Sequence, residues 1–300
     1  MDLSIVIVNW NTKDYLQKCI NSIYENTKGI SFEIIVVDNA SSDGSIETVK
    51  SIFPSVKLIE NSENLGFNAA NNQGIKISSA RYILLLNPDT IVLSTALSEM
   101  VRFMDGNEDA GALGCKILNP DGTLHLYFRK HPTLGKEVIR LILPERFTLE
   151  ELRTKPQDYE SVHEVEVLSG SCIMVRKEVF DRIGLLDERF FMYGDDVDLC
   201  YQVKKDNRKI YYIPHAQIIH YGKQSSNQRR TEMAIEAYKS MYKLLKKIYG
   251  NKIGYTYKYF AIVISIFKIF CYSIIYLLGI KKKDMRRRIK GYAGIMTSNL

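Results

Sequence analysis

Carboxylates at a few fixed places carry the chemistry open to this chain. The run Tyr82-Ile83-Leu84-Leu85-Leu86 ends abruptly in Asn87-Pro88-Asp89-Thr90. An apolar run closed by a turn signal predicts a fully buried strand. Pro88, with its fixed φ, cannot extend it. Asp89 then stands at the carboxyl end of a buried strand, where open α/β sheets bind ligands. A carboxylate there can hold a hard cation, and the cation a diphosphate. The other reading of Asp89, a residue that only shapes the turn after Pro88, stands beside it.

A second acidic cluster is Asp195-Asp196-Val197-Asp198, preceded by Phe190-Phe191-Met192-Tyr193-Gly194. Three carboxylates in four residues repel one another unless a cation, a helix N-terminus or proton sharing relieves them. Asp195 or Asp196 can cap a following helix, and a spare carboxylate in a cleft is a natural general base. Phe191 and Tyr193 can restrict water and stack on a sugar face. The alternative is a solvated helix start. Asp38 and Asp43 flank a turn in Asp38-Asn39-Ala40-Ser41-Ser42-Asp43-Gly44-Ser45. Their carboxylates can accept hydrogen bonds from a base N–H or ribose hydroxyls, or Asp43 can cap a helix. His220 ends the run Gln217-Ile218-Ile219 and is either structural or a partner to Asp89 in a metal site.

The elements that must position these residues alternate. Strands are expected at Leu3–Val8, Glu33–Val37, Val56–Ile59 and Tyr82–Leu86, with helical stripes between them, such as Leu16, Cys19, Ile20, Ile23 and Tyr24. This β-α-β-α order predicts an α/β fold, a mostly parallel Rossmann-like sheet flanked by helices. Residues 119–165 are expected as loops and short elements. Further on, Val165–Val175 reads as a strand interrupted by Ser169-Gly170-Ser171, and Arg208–Ile213 and Ala216–His220 as two short strands around Pro214. Thr231–Tyr249 is an amphipathic helix. No Gly-x-Gly-x-x-Gly or P-loop pattern occurs, which argues against a dinucleotide site or a P-loop.

Composition narrows the partners. Of the net +7, residues 251–300 carry ten Lys or Arg and one acid, a net of +9. The first 250 residues carry 31 basic and 33 acidic groups, a net of −2, so the body is not a nucleic-acid binder. Cys19, Cys115, Cys172, Cys200 and Cys271 form no Cys-x-x-Cys pair, which argues against a zinc site or disulfide framework and fits a reducing compartment. The N-terminus, with Asp2 and no basic segment, does not read as a signal peptide.

The order Val6-Ile7-Val8-Asn9-Trp10-Asn11, the Asp38–Ser45 turn, Asn64-Leu65-Gly66-Phe67 and Leu86-Asn87-Pro88-Asp89 resembles the family 2 glycosyltransferases, which have the GT-A fold. Ser169-Gly170-Ser171, the Phe190–Leu199 segment and His220-Tyr221-Gly222 resemble their rhamnosyltransferase-like branch. The match covers about residues 3–225. The resemblance implies that Asn9, Asp38, Asp43, Asn64, Gly66 and Asn87 bind the nucleotide-sugar donor. Asp89 and His220 would hold Mg²⁺ or Mn²⁺ on the diphosphate, with Asn87 standing where the family's metal motif has its first Asp. Asp196 falls on the catalytic base, with Asp195 where Glu is usual. Gly170, Phe191 and Tyr193 would meet the acceptor. The implied activity is inverting transfer of a sugar, rhamnose from dTDP-rhamnose, to a saccharide or lipid-linked saccharide acceptor of bacterial surface polysaccharide. A UDP-hexose donor, a nucleotidyltransferase and a non-catalytic sugar-nucleotide-binding subunit are the alternatives.

The expected domains are a catalytic domain at 1–225, its donor half about 1–115 and its acceptor half about 116–225, and a helical, basic region at 226–300. In that region Tyr259–Ile280 is apolar except for Lys268, and Lys281-Lys282-Lys283 and Arg286-Arg287-Arg288 follow. A 22-residue helix would span about 33 Å. Lys268 near its centre favours a helix lying on the membrane surface over one spanning it. The expected place is the cytoplasmic face of a bacterial plasma membrane. The alternative is a buried C-terminal helix.

Overall fold

The computed structural model describes residues 1–125, 130–143, 158–222 and 224–298. Much of the expected loop region at 119–165 lies outside the described residues. The chain divides into two compact units. The first comprises Met1–Lys130, Gln157–Glu188 and Asp195–Ser225; the second comprises His131–Pro156, Arg189–Gly194 and Ser226–Leu300.

The first unit is built on one sheet. Its opening half holds β1 (Leu3–Asn9), β2 (Phe32–Asp38), β3 (Lys57–Glu60) and β4 (Tyr82–Leu86), in the order β3-β2-β1-β4 and all parallel. Helices α1 (Lys13–Asn26), α2 (Ser45–Ile52) and α3 (Phe67–Ile77) make the connections. Every residue of β1 and β4 is buried. That is why these strands read as unbroken apolar runs, as strands covered by helices on both faces do. The helices fit closely: a Cβ added at Gly74 of α3 would lie 2.4 Å from Val6 Cγ1 of β1.

The other half holds β5 (Thr90–Val92), β6 (Ala110–Leu118), β7 (His163–Glu164), β8 (Cys172–Arg176) and β9 (Lys209–His220), with α4 (Ala96–Gly106), α6 (Lys177–Ile183) and α7 (Asp195–Lys205) around them. The full order is β3-β2-β1-β4-β8-β6-β9-β5, with β7 beside β9. Strand β8 runs antiparallel to both β4 and β6, β9 runs parallel to β6, and β5 runs antiparallel to β9. The expected parallel sheet therefore describes the first half, and the second half is mixed. The two short strands expected around Pro214 are a single strand, β9. Its register with β6 slips between the pairs Cys115–Ile213 and Lys116–Gln217. The irregularity takes up Pro214, which has no N–H for a ladder bond.

The second unit is helical: α5 (Leu134–Ile142), α8 (Arg230–Tyr249), α9 (Asn251–Leu277) and α10 (Lys282–Thr297). Its core gathers Leu141 of α5, Tyr242 and Leu245 of α8, and Tyr257 and Ala261 of α9. Gly250, at φ +88°, separates α8 from α9. A Cβ at Gly254 would lie 2.7 Å from Lys246 Cβ, so this glycine lets the two helices touch. The basic segment after α9 is itself a helix, α10, packed antiparallel to α9: Lys268 Nζ donates to Tyr292 Oη at 3.2 Å, and Arg288 stacks on the Tyr272 ring at 5.6 Å.

Candidate active site

The carboxyl ends of β1 and β2 meet in register at Asn9 and Asp38. Asn9 Nδ2 donates to Asp38 Oδ2 at 2.8 Å and to Ser41 Oγ at 3.1 Å, while Ser41 N donates to Asp38 Oδ1 at 2.7 Å. Asp38 is 1% exposed, so both of its oxygens hold the turn that follows β2. Asp43 accepts from Lys13 N at 2.8 Å and from Ser45 N at 3.1 Å, the first residues of α1 and α2. One carboxylate thus caps two helix starts, at their positive dipole ends. Partial burial raises the Asp43 pKa, but the bonds from Ser45 and Lys13 outweigh it and the net shift is downward. Ala40 adopts φ +61°, a left-handed conformation in the middle of this loop.

The Asn64–Phe67 motif works through its backbone and its neighbours. Gly66, at φ +88°, receives a bond from Asn39 Nδ2 at its carbonyl, and Asn64 Oδ1 accepts from Gly66 N. Helix α3, which starts here, carries buried asparagines. Asn72 accepts from Leu186 N at 2.9 Å and donates to Leu186 O at 2.8 Å, and Asn68 Nδ2 donates to Asp187 O at 2.9 Å. These amides clamp the segment that leads toward the acidic run. Sequence reasoning missed them, because asparagines in a helix suggest only poor helix formers.

At the end of β4, Asn87, Asp89 and His220 come together. His220 Nε2 lies 3.2 Å from Asp89 Oδ1 and 3.4 Å from Asn87 Nδ2. The pairing of Thr90 with His220 across β5 and β9 fixes this meeting, and Tyr221 N donates to Asp89 O at 2.9 Å. Asp89 is 5% exposed. His220 Nδ1 is buried without a hydrogen-bond partner. The His125 ring stands 5.9 Å from the His220 ring, centre to centre. Among the described residues, no three His, Cys, Asp or Glu side chains form a ready-made metal cage. A carboxylate and an imidazole in direct contact still suit a divalent cation whose other ligands come from a diphosphate and water. Beside them, burial pushes the Cys19 thiol up to about 12, so it stays protonated.

Asp195, Asp196 and Asp198 open α7, where the helix dipole relieves their repulsion. Asp196 Oδ1 accepts from Val197 N at 2.8 Å. Asp195 and Asp196 are half-buried and Asp198 is buried. Gly170 lies against them: a Cβ there would sit 3.3 Å from Asp195 Oδ2. Asn87 N donates to Ser171 O at 3.0 Å, which joins this corner to the end of β4. Phe191 and Tyr193 belong to the second unit, where Tyr193 is exposed at φ +67°.

This sheet and the order of its motifs define a sugar-transferring enzyme of the GT-A fold. The chain belongs to glycosyl transferase family 2, whose sequence model matches residues 4–184. It is 26% identical over 258 residues to the N-acetylglucosaminyl-diphospho-decaprenol L-rhamnosyltransferase of Mycobacterium tuberculosis, covering 80% of this chain and 82% of that one. It is 26% identical over 225 residues to rhamnosyltransferase WbbL of Escherichia coli, covering 72% of this chain and 82% of that one. Among solved structures, mannosyltransferase PcManGT from Pyrobaculum calidifontis, in complex with GDP-Man and Mn²⁺, superposes with a TM-score of 0.58 at 14% identity, over 99% of this chain and 86% of that one. The protein is a glycosyltransferase, and both of these relatives are named as rhamnosyltransferases.

Proposed function

We propose that this enzyme moves rhamnose from dTDP-rhamnose to a lipid-linked saccharide, with inversion at the anomeric carbon, as a step in assembling a bacterial surface polysaccharide. The contact between Asp89 and His220 at the carboxyl end of β4 carries the metal-dependent part of this reading. The relatives' names support the sugar and the class of acceptor.

Asn9, Asp38, Asp43, Asn64, Gly66 and Asn87 are the proposed donor-binding residues. Asp38 and Asp43 act there by fixing the loop whose backbone meets the nucleoside. Asp89 and His220 are the proposed ligands of Mg²⁺ or Mn²⁺, which when bound neutralises charge on the leaving diphosphate. Asp196 takes the proton from the acceptor hydroxyl as its oxygen attacks, and Asp195 holds the adjoining polar surface. Gly170 keeps the space in front of both carboxylates clear. Phe191 and Tyr193, just ahead of the acidic run in sequence, are the proposed acceptor contacts.

The same reading places the enzyme at the cytoplasmic face of the plasma membrane. Helix α9 is long and apolar enough to cross a bilayer, and Phe267 and Leu277 on it are 66% and 80% exposed. Because Arg286, Arg287 and Lys290 ride beside it on α10, a spanning α9 would carry those charges into hydrocarbon. A hairpin lying at the interface keeps them at anionic headgroups. Lys268, folded onto Tyr292, does not interrupt the outer apolar face.

The test is a panel of nucleotide sugars assayed with and without Mn²⁺ on lipid-linked acceptors. The expected products are dTDP and an inverted rhamnoside. Preference for a UDP-hexose would change the donor, and release of pyrophosphate would assign a nucleotidyltransferase instead.

A further inference from the structure

We infer that Lys246 and Lys258, on facing turns of α8 and α9, hold the phosphate link of the lipid-linked acceptor, and that the exposed apolar stripe of α9 takes the first part of its hydrocarbon chain. The inference rests on the lipid-linked acceptor proposed above and adds a binding site in the helical unit.

Geometry is the first argument. Gly254 of α9 packs on the stem of Lys246 of α8, where an added Cβ would lie 2.7 Å from Lys246 Cβ. Tyr242 stands one turn before Lys246, and Lys258 one turn after Gly254. Both ammoniums come to the same ring: Lys246 Nζ is 5.8 Å and Lys258 Nζ 6.0 Å from the centre of Tyr242. Lys246 Nζ is also 5.4 Å from the centre of the Tyr255 ring, which lies 6.2 Å from the Tyr242 ring. Tyr242 is buried, Tyr255 is 55% exposed and the two lysines are half-buried. The group is thus anchored in the core of the helical unit at one side and open to the surface at the other.

The second argument is charge. No Asp or Glu occurs from residue 237 to residue 283. The acids at either side of this stretch are engaged: Glu236 pairs with Lys239 and Lys243, and Asp284 with Arg287 and Arg288. Among the described residues, neither Lys246 nor Lys258 forms a salt bridge. A tyrosine face eases one ammonium. Two at one ring repel each other and leave charge for an anion to neutralise. Phosphate is the anion that suits lysine point charges, and lipid-linked saccharides are joined to their chains through phosphate.

The third argument is what lies beside the pair. Tyr255 begins a row of exposed residues on α9, followed by Tyr259, Val263, Phe267, Phe270 and Ile274. Steps of three or four keep this row on one face. From Tyr259 to Ile274 it runs roughly 22 Å. A water-soluble phosphate gains nothing from such a row, whereas a hydrocarbon chain attached to the phosphate buries apolar surface along it. Arg286, Arg287 and Lys290, the residues proposed to meet anionic headgroups, lie on α10, so the pair on α8 and α9 is a separate feature.

The experiment uses the full chain in nanodiscs of phosphatidylcholine, with EDTA present so that no divalent cation holds a diphosphate elsewhere. The probe is labelled farnesyl diphosphate, read by equilibrium dialysis against empty nanodiscs. Inorganic pyrophosphate and vesicles of phosphatidylglycerol are the comparison ligands. Lys246→Met and Lys258→Met remove the charge and keep an unbranched stem. We expect each to raise the Kd for farnesyl diphosphate at least about tenfold, and vesicle binding to change by less than about twofold. Pyrophosphate, which lacks the chain, should bind at least about tenfold more weakly than farnesyl diphosphate. If a Met variant does not fold, Lys246→Gln and Lys258→Gln carry the same comparison. Equal affinity for pyrophosphate overturns the lipid assignment. An equal loss of vesicle binding makes the lysines general headgroup contacts and overturns the site. An unchanged Kd for farnesyl diphosphate in the lysine variants overturns the site and leaves the lipid-linked acceptor standing. No binding of farnesyl diphosphate by the wild type, together with normal transfer to a lipid-free saccharide, overturns the lipid-linked reading and this inference together.

Discussion

Gly170 is in van der Waals contact range of Asp196: a Cβ at position 170 would lie 3.4 Å from Asp196 Cβ and 3.3 Å from the neighbouring Asp195 Oδ2. A side chain here would press lightly on both carboxylates. Gly170→Ala should displace them by a few tenths of an ångström. The expected result is a turnover loss of about tenfold with donor affinity unchanged, since small misplacements at a reacting centre are costly. Steady-state kinetics paired with a donor-binding titration separates the two quantities, and full activity would show that the contact is slack.

Asp196→Asn should retain donor binding and lose about 10²–10⁴-fold in turnover, the usual contribution of a general base. Asp195→Asn should cost less. If the order is reversed, the base is Asp195.

Asp89→Ala should abolish metal-dependent transfer in a folded protein. His220→Ala should raise the Mn²⁺ concentration needed for half-maximal rate. Removing either partner of the 3.2 Å contact leaves the other without its mate, so the two losses should not add. A metal titration of the single and double variants checks this, and a curve for His220→Ala that overlays the wild type returns His220 to a structural role.

Asn72→Ala removes both bonds to the Leu186 backbone and leaves a buried N–H and C=O unpaired. At about 1–3 kcal/mol for each orphaned group, the expected destabilisation is roughly 2–6 kcal/mol. Denaturant unfolding measures it, and a change near zero would mean that water replaces the amide.

The membrane face can be tested without shortening the chain. Ending it at Gly250 would strip Tyr257 and Ala261 from the core they share with α5 and α8, so loss of binding in such a variant would have two explanations. Phe267→Asp with Phe270→Asp changes only exposed positions of α9. Each lost apolar contact is worth about 1.5–3 kcal/mol when buried, so binding to anionic liposomes should fall by at least tenfold while the fold persists. Equal sedimentation with liposomes by both proteins would rule out this face as the contact.

What could be read from the sequence tracks how local the cause is. β1, β2 and β4 announce themselves because burial on both faces leaves unbroken apolar runs. The residues alone left His220 as either structural or a partner to Asp89, because only the β5–β9 pairing brings the two together. Pro214 read as a break between strands, since a proline's missing donor is visible in sequence but the bulge that accommodates it is not. The basic cluster after Ile280 read as part of a helical, basic region, but its packing on α9, where the Tyr272 and Tyr292 rings lie 5.9 Å apart, had no local signal.

The bond from Asn87 N to Ser171 O extends the ladder that pairs Leu86 with Cys172, so the last rung of β4 and β8 links the proposed metal corner to the glycine beside the acidic run. A ladder of this kind behaves as a stiff gauge. On the proposed roles, it sets the span between departing and arriving oxygens through backbone spacing, which side-chain substitution hardly alters. On that reading, loops at this edge can be redrawn to suit another sugar or acceptor while the length of the chemical step stays constant.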